Sequence, residues 1–154
     1  MLVDDEIIIK GLKDSLITLA KHQLDKGTIP SNVKSKEQQH ISYGSLVGRV
    51  DATSWFLVGA ALYQLNYNDK DFWSLISPAV QKAEHILEAW EFNNKHLIYT
   101  PLSGNWADEY VMHGYLLYDN CLRLWGLRLI QQIKHSNLRE NKIAAITELS
   151  LIHI

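Results

Sequence analysis

The chain has 154 residues, 47% of them hydrophobic and 21% charged, with a formal net charge of -2. That length suits one ordinary domain, the apolar fraction excludes a disordered chain, and a near-neutral charge without a basic block excludes an electrostatic case for nucleic acid. A lone cysteine, Cys121, excludes an internal disulfide framework and fits a reducing compartment.

The first residues, MLVDDEIIIKGLKDS, carry acids where a secretory signal needs positive charge. The apolar runs are broken by polar residues short of a membrane span. The sequence therefore predicts a cytoplasmic protein with neither a membrane nor a nucleic acid as partner. From about Asp5 to Lys26, Ile9, Leu12, Leu16, Leu19 and Ala20 recur every three or four positions, which predicts an amphipathic helix stopped by Gly27. The polar segment from Thr28 to Arg49, with Pro30, Ser31, Asn32, Lys34 and Gln38, has no clear period and reads as a long loop.

"DATSWFLVGAALYQL" follows, with Asp51 as its expected N-cap. From Trp55 to Tyr63 it is apolar almost all round, which predicts a helix surrounded by protein. "NDKDFWSLISPAVQKAEHILEAWEF" returns to a stripe of Phe72, Leu75, Ile76, Ala79, Ala83, Ile86, Leu87 and Trp90. Pro78 is expected to break or kink it, or to open a second helical piece after Ser77. A loop runs from about Asn93 to Asn105, "GYLLYDNCLRLWGLRLIQQI" is again a mostly apolar helix, and "NLRENKIAAITELSLIHI" has helical spacing at Leu138, Ile143, Ile146 and Leu149. The order is outer-type helix, loop, buried helix, stated twice, then an outer-type start. "GTIPS" and "YTPLS" echo each other after the outer-type helices, and Asp51 and Asp108 hold similar places about one repeat apart. The pattern predicts an all-α chain of stacked α-hairpins.

Three stretches, "HQLDKGTIPSNV", "SYGSLVGRVDATSWFLVGAALY" and "SGNWADEYVMHGYLLYDNCLRLWGLRL", together resemble the six-hairpin glycosidases. The nearest likeness is to the glucosidase domain of glycogen debranching enzymes (amylo-alpha-1,6-glucosidase), with neutral invertases and processing α-glucosidases as more distant relatives. The likeness runs roughly from Leu16 to Gln131. It implies a single fragment, 1–154, of an (α/α)6 toroid built of α-hairpins, whose site lies where loops feed the N-termini of inner helices. It also implies Asp108 as general acid and a catalytic base from hairpins beyond this sequence.

A glycosidase needs one carboxylic acid to protonate the leaving oxygen and a second carboxylate to activate water or attack. Trp106 could shield Asp108 and Glu109 could repel its charge, both of which favour a protonated acid. Spacing alone equally allows Asp108 or Glu109 to cap the following helix, and Glu109 is the rival acid. Arg49 and Asp51 suit sugar hydroxyls, the one as a fixed donor fork and the other as an acceptor, although an N-cap aspartate paired with Arg49 reads the same. Sugar faces pack on aromatic rings, which singles out Trp106, Tyr43 and Trp55, while Trp73, Trp90 and Trp125 are expected in the core. His113 is a further substrate contact, and Cys121 reads as a small buried hydrophobe.

The seven histidines form no metal pattern and no phosphate-binding glycine motif occurs, so neither metal nor cofactor is expected. The expected partner is a carbohydrate of α-glucosidic or similar linkage. A truncated barrel is also expected to expose Leu57, Val58, Leu62, Leu117, Leu124 and Leu127, which would invite self-association or a complementary chain. The alternatives are a non-catalytic helical module and a sugar isomerase or epimerase on the same barrel, working through histidines.

Overall fold

The computed structural model describes residues 5–34, 40–44, 48–92 and 94–152, the last three as backbone. Gln38 of the long polar segment, residues 45–47 of the second quoted stretch and Asn93 lie outside the described residues. Five helices carry the fold: α1 (Glu6–Lys21), α2 (Val50–Tyr67), α3 (Lys70–Glu88), α4 (Leu117–Ile133) and α5 (Asn137–Ile152). The chain is all-α, with one small exception. Within the polar segment, β1 (Asn32–Lys34) and β2 (His40–Ser42) pair antiparallel, with Val33 opposite Ile41. Three residues per strand are too few to leave an alternating pattern that sequence could show.

Helices α1 and α3 start at side-chain caps. Asp5 caps α1, its Oδ1 accepting from the amides of Ile7 (2.8 Å) and Ile8 (3.2 Å). Asp69 caps α3 by accepting from the Phe72 amide at 2.9 Å. Asn68 takes the left-handed conformation (φ 47°) that closes α2 and turns the chain into α3 within two residues. Helix α1 ends at Lys21, short of the expected Lys26. Gly27 (φ 114°) belongs to the turn beyond it, pressed so closely on α3 that a Cβ there would sit 2.1 Å from the Lys82 carbonyl oxygen.

Pro78 neither breaks nor ends α3, which runs through it unbroken. The carbonyl it leaves without a donor is that of Ser74, and both residues lie on the exposed side of the helix, where the carbonyl is open to solvent.

The helices form two layers. Inner helices α2 and α4 lie side by side, with their first turns close enough for Asp51 to act on Asp119. Gly126 permits the approach, since a Cβ there would meet the Leu57 Cβ at 3.2 Å. Outer helices α1, α3 and α5 back them. Lys13 of α1 pairs with Asp69 at the start of α3, and Arg139 of α5 grips Glu84 of α3 with Nε 2.8 Å from Oε1. The core is continuous between the layers, with Leu16, Phe56, Leu57, Val58, Phe72, Ile76, Val80, Leu87, Leu122 and Ile130 all buried.

The exposed face of the inner layer differs from expectation. Leu57, Val58 and Leu127 are buried. Leu117 is exposed as expected, and with it the face presents Trp55, Tyr118 and Trp125, all four 38–62% exposed, together with Cys121. Neither Trp125 nor Cys121 is a core residue. An inner helix that is apolar all round carries no phase in its sequence, so its open side cannot be read from composition.

No helix among the described residues is long and apolar enough to cross a membrane.

Candidate functional site

Between α3 and α4 the chain builds a long excursion closed at its base. Thr100 and Gly114 exchange backbone bonds of 2.7 and 2.8 Å, so residues 101–113 leave and return at one point. This excursion carries Trp106, Asp108 and Glu109 to the N-terminal end of α2.

That end has no side-chain cap. Arg49 occupies the cap position, and Asp51 lies inside the first turn, contrary to its expected place. The excursion supplies what a cap would. The Val50 amide donates to the Gly104 carbonyl at 2.8 Å. Asp51 is 5% exposed and accepts two backbone bonds, one from Ala52 to Oδ1 and one from Trp106 to Oδ2, each 2.8 Å. Burial pushes its carboxyl up, against the pull of those two amides and of Arg49. Arg49 reaches across to form an ion pair with Asp108.

Asp108 and Glu109 cap no helix, because α4 begins only at Leu117. The residue of α4 that corresponds to Asp51 is Asp119, in the first turn and fully buried. Its Oδ2 accepts from the Thr100 hydroxyl (2.8 Å) and the Asn105 amide (2.9 Å). Burial raises its pKa, the two donors oppose the rise, and the charge of Asp51 adds to it. Asn120 next to it brackets Ile98, accepting from its amide at 2.8 Å and donating to its carbonyl at 3.2 Å.

A groove of about 340 Å³ lies at this end of the inner layer, with Arg49, Asp51, Trp55, Trp106, Tyr118 and Pro30 among its walls. Trp55 donates its indole N–H to the Tyr118 hydroxyl at 2.9 Å. Trp106 meets the Tyr118 ring edge-on at 6.3 Å between centroids. Burial raises the Tyr118 pKa, the Trp55 N–H opposes this, and Asp51 and Asp119 reinforce it. Trp106 stays 61% exposed.

Of the residues singled out from sequence, Arg49, Asp51, Trp55 and Trp106 converge on this groove, and Asp108 joins them at its rim through Arg49. Glu109 is exposed and has no hydrogen bond or ion pair among the described residues. Tyr43 is not part of the groove wall, its hydroxyl donating to the His22 carbonyl at 2.6 Å. His113 is also apart from the wall, its Nδ1 3.1 Å from the Tyr99 hydroxyl. Sequence reasoning missed Tyr118 and Asp119. An aromatic directly before an acid at the head of an apolar helix was the available signal.

Among the described residues no three histidine, cysteine or acidic side chains gather as a metal site would require. No protein-family model matches the chain, and no curated protein matches it.

Proposed function

We propose that the groove at the head of α2 is a carbohydrate site of glycoside-hydrolase type, on a two-layer helical arc of an (α/α)6 toroid. One observation carries the reading. An exposed tryptophan, Trp106, lines the groove together with a buried acceptor, Asp51, whose oxygens each accept one backbone bond and have capacity for another. Apolar ring faces with a few fixed polar groups are what a pyranose requires. Arg49 adds donors, and Trp55 and Tyr118 close the far wall. Asp108, tethered at the rim by Arg49, is the candidate acid, and Glu109 is its rival.

Hydrolysis needs two carboxylates flanking one bond, separated by roughly 5–9.5 Å. Among the described residues, Asp108 at the rim is paired with Arg49, Asp51 in the wall is held by two backbone amides, and Asp119 is sealed from the groove. Neither groove carboxylate stands free as a base, and our reading is of a chain that holds a sugar and does not cleave it alone.

Titration with methyl α-glucoside, maltose and isomaltose, followed by tryptophan fluorescence, tests this. Saturable quenching at millimolar sugar is expected, with no release of glucose. A flat response to all three would sink the proposal.

The open face of the inner layer suits a second copy of the chain. Trp55, Leu117, Tyr118 and Trp125 together present on the order of 400 Å² of apolar surface. That is within the range of the largest apolar patch on a monomer and short of the roughly 800 Å² per partner of a stable interface. Weak, concentration-dependent dimerisation is expected by sedimentation velocity, and Trp125→Lys should abolish it. An equally dimeric Trp125→Lys chain would place the interface elsewhere.

A further inference from the structure

Asp119 has no role in the groove, yet its surroundings are unusual for an acid. It is fully buried, and its Oδ1 has no hydrogen-bond partner among the described residues. Its Oδ2 accepts from two neutral donors, Thr100 and Asn105, which bracket the first arm of the excursion. Among the described residues no cation is paired with it. Across from it on α2 stands Asp51, a second acid, and Arg49 beyond is engaged with Asp108. On its own helix, Tyr118 accepts from Trp55, and Arg123 one turn on is paired with Glu91 and donates to the His96 carbonyl. From the excursion, Tyr99 and His113 bond to each other.

We propose that Asp119, as a neutral carboxylic acid, latches residues 98–108 onto the first turns of α2 and α4 and so positions Trp106 and Asp108. A buried anion with an unpartnered oxygen and a neighbouring acid is costly, whereas the neutral acid still offers Oδ2 to Thr100 and Asn105. From those two bonds the rest of the arm follows in sequence. Gly104 caps α2 through Val50, Asn105 orients Ala107 by accepting its amide at 3.0 Å, and Trp106 donates to Asp51. Burial is the main cause that raises the Asp119 pKa, with the Asp51 charge adding to it and the two donors opposing it. The latch does not depend on which ligand the groove takes.

The sign follows by linkage. Latched, Asp119 has a raised pKa; unlatched and hydrated, it has an ordinary one. Latching is then fully favoured below the ordinary carboxylate range and weakens as pH rises toward the latched pKa, beyond which it levels off. Amide exchange by NMR between pH 4 and 8 reads this directly, as protection at Val50, Thr100, Trp106 and Gly114 relative to the mid-helix amides of α2. In the wild-type chain, relative protection should fall as pH rises above the ordinary carboxylate range, by at most about tenfold per pH unit, and then level off. The ¹³C shift of the Asp119 carboxyl should titrate above the ordinary range of about 4. Asp119→Asn, which reproduces the neutral acid, should keep the protection and lose the slope. Asp119→Ala should lose the protection at every pH. An ordinary titration of the Asp119 carboxyl, or a slope that persists in Asp119→Asn and disappears in Asp51→Asn, would overturn the proposal.

Discussion

Replacing Arg123 with methionine is expected to cost the protein about 3–5 kcal/mol of stability, toward the lower figure. Arg123 is 1% exposed within the core side of α4. It pairs with Glu91 beyond the end of α3, and its Nη1 donates to the His96 carbonyl at 3.1 Å. Lys142 of α5 lies 3.0 Å from Glu91 and 2.7 Å from Glu88, and His96 Nδ1 is 3.1 Å from the other Glu91 oxygen. The cluster joins α3, α4 and α5 and fixes the start of the segment that leads into the site. Removing the guanidinium leaves Glu91 buried with weaker partners, which is why breaking such a pair costs more than replacing it whole. Lys142 and His96 remain beside it, which is why the lower figure applies.

Burial tends to raise the Glu91 pKa, but Arg123, Lys142 and His96 outweigh it, and the net direction is down. A depressed carboxyl stabilises the fold above its unfolded pKa and loses that contribution as pH falls through the folded one. Arg123→Met should therefore also flatten the acid limb of the stability–pH curve. Urea unfolding at pH 7, followed by circular dichroism, gives the first number. Arg128→Met, on the exposed side of the same helix, should change it by under about 0.5 kcal/mol. A loss below 1 kcal/mol in Arg123→Met would mean that the cluster contributes little to the fold.

Arg123 also marks where sequence reasoning stops. The helix order, outer and inner alternately, was legible because period and polarity differ between α3 and α2. The convergence of Arg49, Asp51, Trp55 and Trp106 was legible for a similar reason. Polar and aromatic residues at the head of an apolar helix, or in the loop before it, have few places to go. Arg123 sits between Leu122 and Leu124 in a helix that reads as apolar, and its partner is in another segment altogether. Only tertiary structure pairs the two.

The equivalence of Asp108 with Asp51 failed on a related point. The stretch before α4 lacks a side-chain cap, since Leu116 holds the cap position, so the helix start carries no sequence mark. Asp108 then looked adjacent to the helix when the excursion separates them, and Asp119, inside the apolar stretch, was passed over. The open face was illegible in the same way. Trp125 packs edge-on to Trp55 at 5.9 Å, a contact that says "core" in sequence but occurs at the surface here.

The sharpest division of labour in the groove is expected between Trp106 and Asp51. Trp106 is clamped by its backbone N–H, not by its ring, so Trp106→Ala should leave the excursion in place. What it removes is an exposed stacking face, worth roughly 1–1.5 kcal/mol, or about a tenfold weaker sugar affinity. Asp51 serves twice. Its oxygens hold Trp106 and Ala52, and the residue lines the groove with acceptor capacity left over. Asp51→Ala takes away both the clamp and the acceptor for sugar hydroxyls, so affinity should fall by a hundredfold or more, about 3 kcal/mol. Asp51→Asn retains an acceptor of the same shape and should recover part of that loss. Fluorescence titration of the three variants with maltose, read from the tryptophans that remain, separates the two effects, with amide protection at Trp106 and Val50 reporting the clamp. Wild-type affinity in Trp106→Ala would remove the ring from the site. Equal losses in Asp51→Ala and Asp51→Asn, with the clamp intact in the latter, would mean that the carboxylate's charge, and not its shape, is what the sugar needs.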